Sequence, residues 1–200
     1  AEVRDRALVS FAARFWNEES GALYDVVDVD HVRGESDPTF RPNQIFAVSL
    51  PYSMLDEDQA RAVVDTVERH LLTPLGLRSL SPEDPAYRGR YEGGVWERDS
   101  AYHQGPVWLW LMGPFVSAYA RVYPGSARVA ELVNGMRPHL REAGVGHIHD
   151  ATRLCQECQK EVATDHATPD RPRWVVGSIG PGTRLPSLGA ITFRELRDDY

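Results

Sequence analysis

A mainly α fold is predicted by three features of the chain. Apolar residues recur at helical spacing in five stretches before residue 148, the signature of helices that bury one stripe against a core. Helix-capping residues flank these stretches, with Asp56 and Ser126 at starts and Gly144 at an end. The β-rich apolar run RWVVGSIG falls late, within 149–200.

Each helix has its own basis. In 2–16, Val3, Ala7, Leu8, Phe11 and Phe15 share a stripe. Residues 42–55 carry Ile45, Phe46, Val48 and Leu50, and Pro51 is expected to bend or end this helix because it has no N–H to donate. In 57–72, Asp56 caps the start, and Ala60, Val63, Val64, Val67 and Leu71 form the buried face. The stretch 105–123, dense in Trp, Leu, Phe and Tyr, is predicted to be one helix buried nearly all round. The fifth helix is 126–143. A long polar loop is expected over 73–104, and long loops on helical scaffolds carry function more often than framework. Its aromatics Tyr87, Tyr91, Trp96 and Tyr102 support that use.

The pattern changes near residue 148. HDATRLCQECQKEVATDHA reads as a polar helix, TPDRP as a turn, RWVVGSIG as a strand and ITFRELRDDY as another helix. Helix–strand–loop–helix is an α/β order. The expected domains are therefore 1–148, all α, and 149–200, a short βα appendage.

Composition narrows the function without choosing it. A formal charge of −7 argues against nucleic acid and anionic membrane surfaces, which require a basic face. No apolar run approaches the roughly 20 residues that span a bilayer. The charged, helical N-terminal stretch is not read as a secretory signal. Two cysteines cannot build a disulfide framework, so a cytoplasmic setting is expected. Oligomeric state is not legible.

The chemistry concentrates in 15–27, 41–51 and 87–119. A pyranose offers apolar C–H faces and a belt of hydroxyls, so its site needs aromatic platforms beside planar hydrogen-bonding groups. Asn43, Gln44, Glu92, Arg98, Asp99, Tyr102, His103 and Gln104, with Trp96, Trp108 and Trp110, supply both. The competing reading makes Trp108, Trp110 and Phe115 plain core residues of a buried helix. Cys155 and Cys158 form a C-x-x-C with His147, His149 and His166 nearby, but one such pair in a helical run falls short of a four-ligand zinc site. The glycines 177, 180 and 182 lack the Gly-Lys-Ser/Thr of a phosphate loop. Neither metal nor cofactor is expected.

Taken together, RPNQIFAVSLP, LLTPLGLRSLSPEDPAYRGRYEGG, ERDSAYHQGPVW and GPFVSAY resemble the C-terminal part of bacterial glycogen debranching enzymes of the amylo-α-1,6-glucosidase type. The resemblance spans residues 1–148. It implies part of an (α/α)6 toroid, a six-hairpin glycosidase architecture, with an α-glucan bound by loops at one end. Asn43, Gln44, Tyr91, Glu92, Arg98, Asp99, Tyr102, His103, Gln104 and Trp108 are the expected substrate-binding residues. The family implies hydrolysis with inversion by two carboxylates about 6.5–9.5 Å apart. Its acid belongs to a Trp-Gly-Arg-Asp-Thr stretch that this chain does not contain; Trp96-Glu97-Arg98-Asp99-Ser100 is similar by eye but sits in the Tyr-His-Gln loop. Its base follows a Gly-x-Gly-x-Ile turn, here 144–148, and Asp150 stands at that position in place of Glu. Asp150 is thus either a shortened base or the start of the second segment. The Cys-x-x-Gln-Ala-Trp helix expected to close the toroid is absent.

The tail RPRWVVGSIGPGTRLPSLGAITFRELRDDY resembles part of the homocysteine-binding barrel of cobalamin-dependent methionine synthase. The leading expectation is a debranching-glucosidase fragment joined to a methionine-synthase fragment and inactive alone. The alternatives are a homocysteine S-methyltransferase fragment and a non-catalytic glucan-binding module using the 87–110 surface.

Overall fold

The computed structural model describes residues 2–137. Expectations for Gly144, Asp150, the C-x-x-C pair and the segment 149–200 lie outside the described residues. In chain order the elements are α1 (Glu2–Phe15), β1 (Trp16–Asn17), β2 (Ala22–Leu23), β3 (Val26–Val27), β4 (Ser36–Asp37), α2 (Phe46–Ser49), α3 (Glu57–His70), β5 (Leu72–Thr73), β6 (Gly76–Arg78), α4 (Val95–Ala101), β7 (Val107–Trp108), α5 (Met112–Val122) and α6 (Arg128–Met136).

Helix α3 forms where its sequence places it. The Asp56 carboxylate accepts from the Gln59 N–H at 2.8 Å, and the Gln59 side chain accepts from the Asp56 N–H at 3.4 Å. This reciprocal box satisfies two N–H groups that a helix start otherwise leaves unpaired. Ala60, Val63, Val64 and Val67 are buried, as is Leu71 just beyond. They meet α5, whose Met112, Phe115, Val116 and Ala118 are buried, and α2, which contributes Ala47 and Val48. Val129 and Leu132 of α6 close the layer. Ser126 caps α6 from one position further out than a standard cap, accepting from the Arg128 N–H at 3.3 Å.

Four expectations need correction. First, the helix expected over 42–55 is a 3₁₀ turn at Pro42–Ile45 followed by the single turn of α2. Leu50 is extended, the conformation imposed on a residue before proline. Arg121 offsets the early ending by donating to the carbonyls of Val48, Leu50 (2.5 Å) and Ser49 (3.4 Å). Second, 105–123 is not one helix. Gly105, at φ +137°, and Pro106 break the register, Val107–Trp108 pairs with β6, and α5 starts only at Met112. The open edge of β6 outweighs local helical period. Third, 73–104 is not a free loop throughout. Thr73, Leu75, Leu77, Arg78, Ser79, Leu80 and Ser81 are buried, and the Thr73 hydroxyl closes the β5–β6 turn by accepting from the N–H groups of Leu75 and Gly76 and donating to the Gly76 carbonyl at 2.9 Å. Fourth, α1 has no buried residue; Val3 is 79% exposed, and only Phe11 and Phe15 at its C-terminal half pack against the core.

The region is therefore mainly helical but not all α. Three small antiparallel sheets accompany the helices: β1–β2, β3–β4 and β5–β6–β7. The last one positions the site. Leu77 faces Trp108 and Arg78 faces Val107, and Gly76 makes the approach possible, since a Cβ there would lie 2.6 Å from the Trp108 carbonyl oxygen.

Candidate functional site

A cleft of about 610 Å³ opens where the 3₁₀ turn at Pro42, the end of β6 and the segment 102–110 meet. It is lined by Asp25, Arg41, Pro42, Asn43 and Ser79 together with Tyr102, His103, Trp108 and Trp110.

Arg41 ties the lining segments together. Its Nε lies 3.4 Å from a carboxylate oxygen of Asp25. Its Nη1 donates to the carbonyls of Ser79 (3.2 Å) and His103 (2.5 Å), and its Nη2 to the side-chain oxygen of Gln104 (3.0 Å). The other Asp25 oxygen accepts from the Asn43 amide at 3.1 Å. One guanidinium thus holds segments 25, 79 and 103–104 in a single geometry, using the planar fork that arginine supplies and lysine does not. Gly105 donates to the Ser79 hydroxyl at 2.9 Å, and a side chain at Gly105 would strike the Tyr87 ring at 2.6 Å.

The aromatic part of the lining is a succession of rings. Tyr91 meets Tyr102 edge-on at 5.9 Å, Tyr102 meets His103 at 4.9 Å, and His103 stands edge-on to Trp108 at 5.1 Å. Trp108 stacks on Trp110 at 5.9 Å, and Trp110 on Phe46 at 6.2 Å. Trp108 is buried while Trp110, stacked on both Trp108 and Phe46, is 47% exposed. The Trp108 indole N–H is buried and has no hydrogen-bond partner, an uncommon state for a native donor.

The expected site residues divide into two groups. Asn43, Tyr102, His103 and Trp108 share the cleft, and Tyr91 supports Tyr102 from behind. Gln44 is buried and turned away, accepting from the Leu23 N–H at 3.4 Å and donating to the Arg41 carbonyl at 3.1 Å. Gln104 braces Arg41. Glu92 is exposed beside Arg90 (3.4 Å), Arg98 donates to the Gly93 carbonyl at 3.1 Å, and Asp99 is exposed on α4. Trp96 of α4 is 81% exposed and outside the cleft lining. Asp25, Arg41 and Ser79 are additions that periodicity could not find, because isolated polar residues at loop ends carry no period. Among the described residues, no group of three or more His, Cys, Asp or Glu is placed to hold a metal ion, and no helix is long and apolar enough to cross a membrane.

Helical scaffold and aromatic cleft together define the class: a mainly α protein with a ring-lined cleft. The amylo-alpha-1,6-glucosidase family profile matches residues 1–167, and the chain belongs to that family. It is 34% identical over 89 residues to the glycogen debranching enzyme of Saccharomyces cerevisiae, an alignment covering 42% of this chain and 6% of the yeast protein. It also aligns over 53 residues with methionine synthases, at 43% identity for Mycobacterium leprae and 42% for Mycobacterium tuberculosis, each covering 26% of this chain and 4% of the relative. The chain thus spans a small fraction of the length of each of these relatives. The family match runs past residue 148, the boundary expected from the change in sequence pattern.

Proposed function

We propose that this chain is the glucan-binding part of a glycogen-debranching α-1,6-glucosidase, and that it does not hydrolyse glucan by itself. The observation that carries the binding role is the cleft lined by Asn43, His103 and the Trp108–Trp110 stack. A half-exposed indole in one lining with an amide and an imidazole suits a glucosyl ring, which offers both C–H surface and hydroxyls. Family membership favours an α-glucan of glycogen type as the ligand. The helices would form part of an (α/α)6 toroid over 1–148, with 149–200 as a separate βα segment, in a cytoplasmic protein.

The expectation of no turnover rests on chemistry. Inverting hydrolysis needs an acid for the leaving oxygen and a base for water. The sequence holds no Trp-Gly-Arg-Asp-Thr acid motif, and Asp150 is the only candidate at the base position. Purified chain is expected to bind isomaltooligosaccharides weakly and to release no glucose from a branched limit dextrin. Glucose release above a heat-killed control would overturn the inactive reading; absence of any saccharide binding would overturn the cleft assignment. A second reading, a homocysteine S-methyltransferase-related segment, draws on the methionine synthase alignments. Methyl transfer to homocysteine by the chain would favour it.

A further inference from the structure

We propose that Asp25 sets the charge specificity of the cleft: it cancels Arg41, so that the cleft takes uncharged sugars and rejects phosphorylated ones. The identity of the neutral ligand rests on the glucan reading above; the charge argument rests on Asp25 and Arg41 themselves.

Among the described residues lining the cleft, Arg41 is the sole permanent cation and Asp25 the sole carboxylate. A guanidinium in a half-closed site ordinarily recruits anions, because its fork matches a phosphate as well as a carboxylate. Here that capacity is already occupied. Both Nη1 contacts go to backbone carbonyls, Nη2 serves Gln104, and Nε faces the Asp25 carboxylate. The Asp25 and Arg41 side chains retain only 15% and 20% of their exposure, so salt and water screen the pair less than they would at the surface. A phosphate ester entering the cleft meets a fixed carboxylate and finds the arginine committed. A neutral hydroxyl pays no such penalty, and it can share the hydrogen bonds of Asn43 and His103. Asp25 also holds Asn43 through its second oxygen, so one side chain both orients a sugar-facing amide and repels charged competitors.

The test uses the full chain at one fixed pH. Wild type and Asp25→Asn are titrated with isomaltotriose, glucose 6-phosphate and inorganic phosphate. Binding is followed through the indole N–H signals of Trp108 and Trp110, whose side chains line the cleft. Asparagine keeps the shape and an acceptor for Asn43 while removing the charge. Wild type is expected to respond to isomaltotriose and to neither phosphate species. In Asp25→Asn the affinity for phosphate and for glucose 6-phosphate should rise on the order of tenfold or more, and the gain should shrink as salt is added. The inference is overturned if wild type binds glucose 6-phosphate in the cleft as well as isomaltotriose, or if Asp25→Asn folds and gains no phosphate affinity. Should Asp25→Asn fail to fold, wild type still decides: phosphate-induced shifts of the two indole signals would sink the idea. If isomaltotriose does not bind but Asp25→Asn gains phosphate, the glucan reading falls and the role of Asp25 stands.

Discussion

The α3–α5 layer and the cleft wall are built by different forces. In the layer, Val63, Val64, Val67, Met112 and Phe115 are held by removal of apolar surface from water. That force is non-directional and spread over many contacts. In the wall, Arg41 fixes three chain segments through directed bonds to Asp25, Ser79, His103 and Gln104. Damage to the layer is therefore global, whereas damage to the wall is local to the site.

The comparison can be broken most forcibly at Phe115, which is fully buried at the centre of the layer. Phe115→Ala should cost about 3–5 kcal/mol through lost transfer energy and a residual cavity. Urea denaturation followed by circular dichroism would measure it, and the cleft should be lost together with the helices.

Gly76 joins the two regions. Its missing side chain lets β6 approach Trp108, and a Cβ would meet backbone atoms at 2.6 and 2.8 Å. Gly76→Ala should destabilise by about 1–3 kcal/mol as an overpacked contact and also weaken saccharide binding by displacing Trp108. Unchanged stability would show that the β6–β7 seam is more compliant than its spacing implies.

A smaller effect is expected at the edge of the layer. The Tyr123 hydroxyl donates to Asp65 at 2.5 Å, and burial, followed by the Asp65 carboxylate, pushes the phenol up to about 12. Unfolded tyrosine titrates near 10. Between these values the folded chain keeps a proton that the unfolded chain has lost. The contribution is therefore complete below about pH 10 and is lost as pH rises toward about 12. Tyr123→Phe should cost about 1 kcal/mol at neutral pH and flatten this part of the alkaline stability profile.

Trp110 should separate the regions most cleanly. It is half exposed and stacks on Trp108 without entering the core. Trp110→Ala should change stability by only about 0.5 kcal/mol. Loss of a stacking platform worth about 0.5–1.5 kcal/mol would lower isomaltotriose affinity by up to about tenfold. Equal losses of stability and binding would mean that Trp110 belongs to the framework.

Much of the helical layer was legible because its signals are local. The Asp56 cap, the Ala60–Val67 stripe and the stop before Pro51 each depend on residues within a turn or two. The rings of the cleft were legible as a group, since Tyr102, His103, Trp108 and Trp110 sit close together in the chain. Their roles were not uniform: Gln44 and Gln104 became braces, while Asp25 and Arg41 emerged as site residues. Nothing local distinguishes a glutamine that lines a cleft from one that bonds to a backbone group.

By itself the sequence determined the mainly helical character, the buried stripe of α3 and the family to which the chain belongs. Those depend on period, capping and motif order, all of which are written along the chain. Only the tertiary structure decided that 107–108 would be a strand, that 72–81 would be buried, and that Asp25 would meet Arg41. The reason is physical. Strand pairing and charge pairing are contacts between segments far apart in sequence, and their energy depends on distance and orientation that no single segment contains.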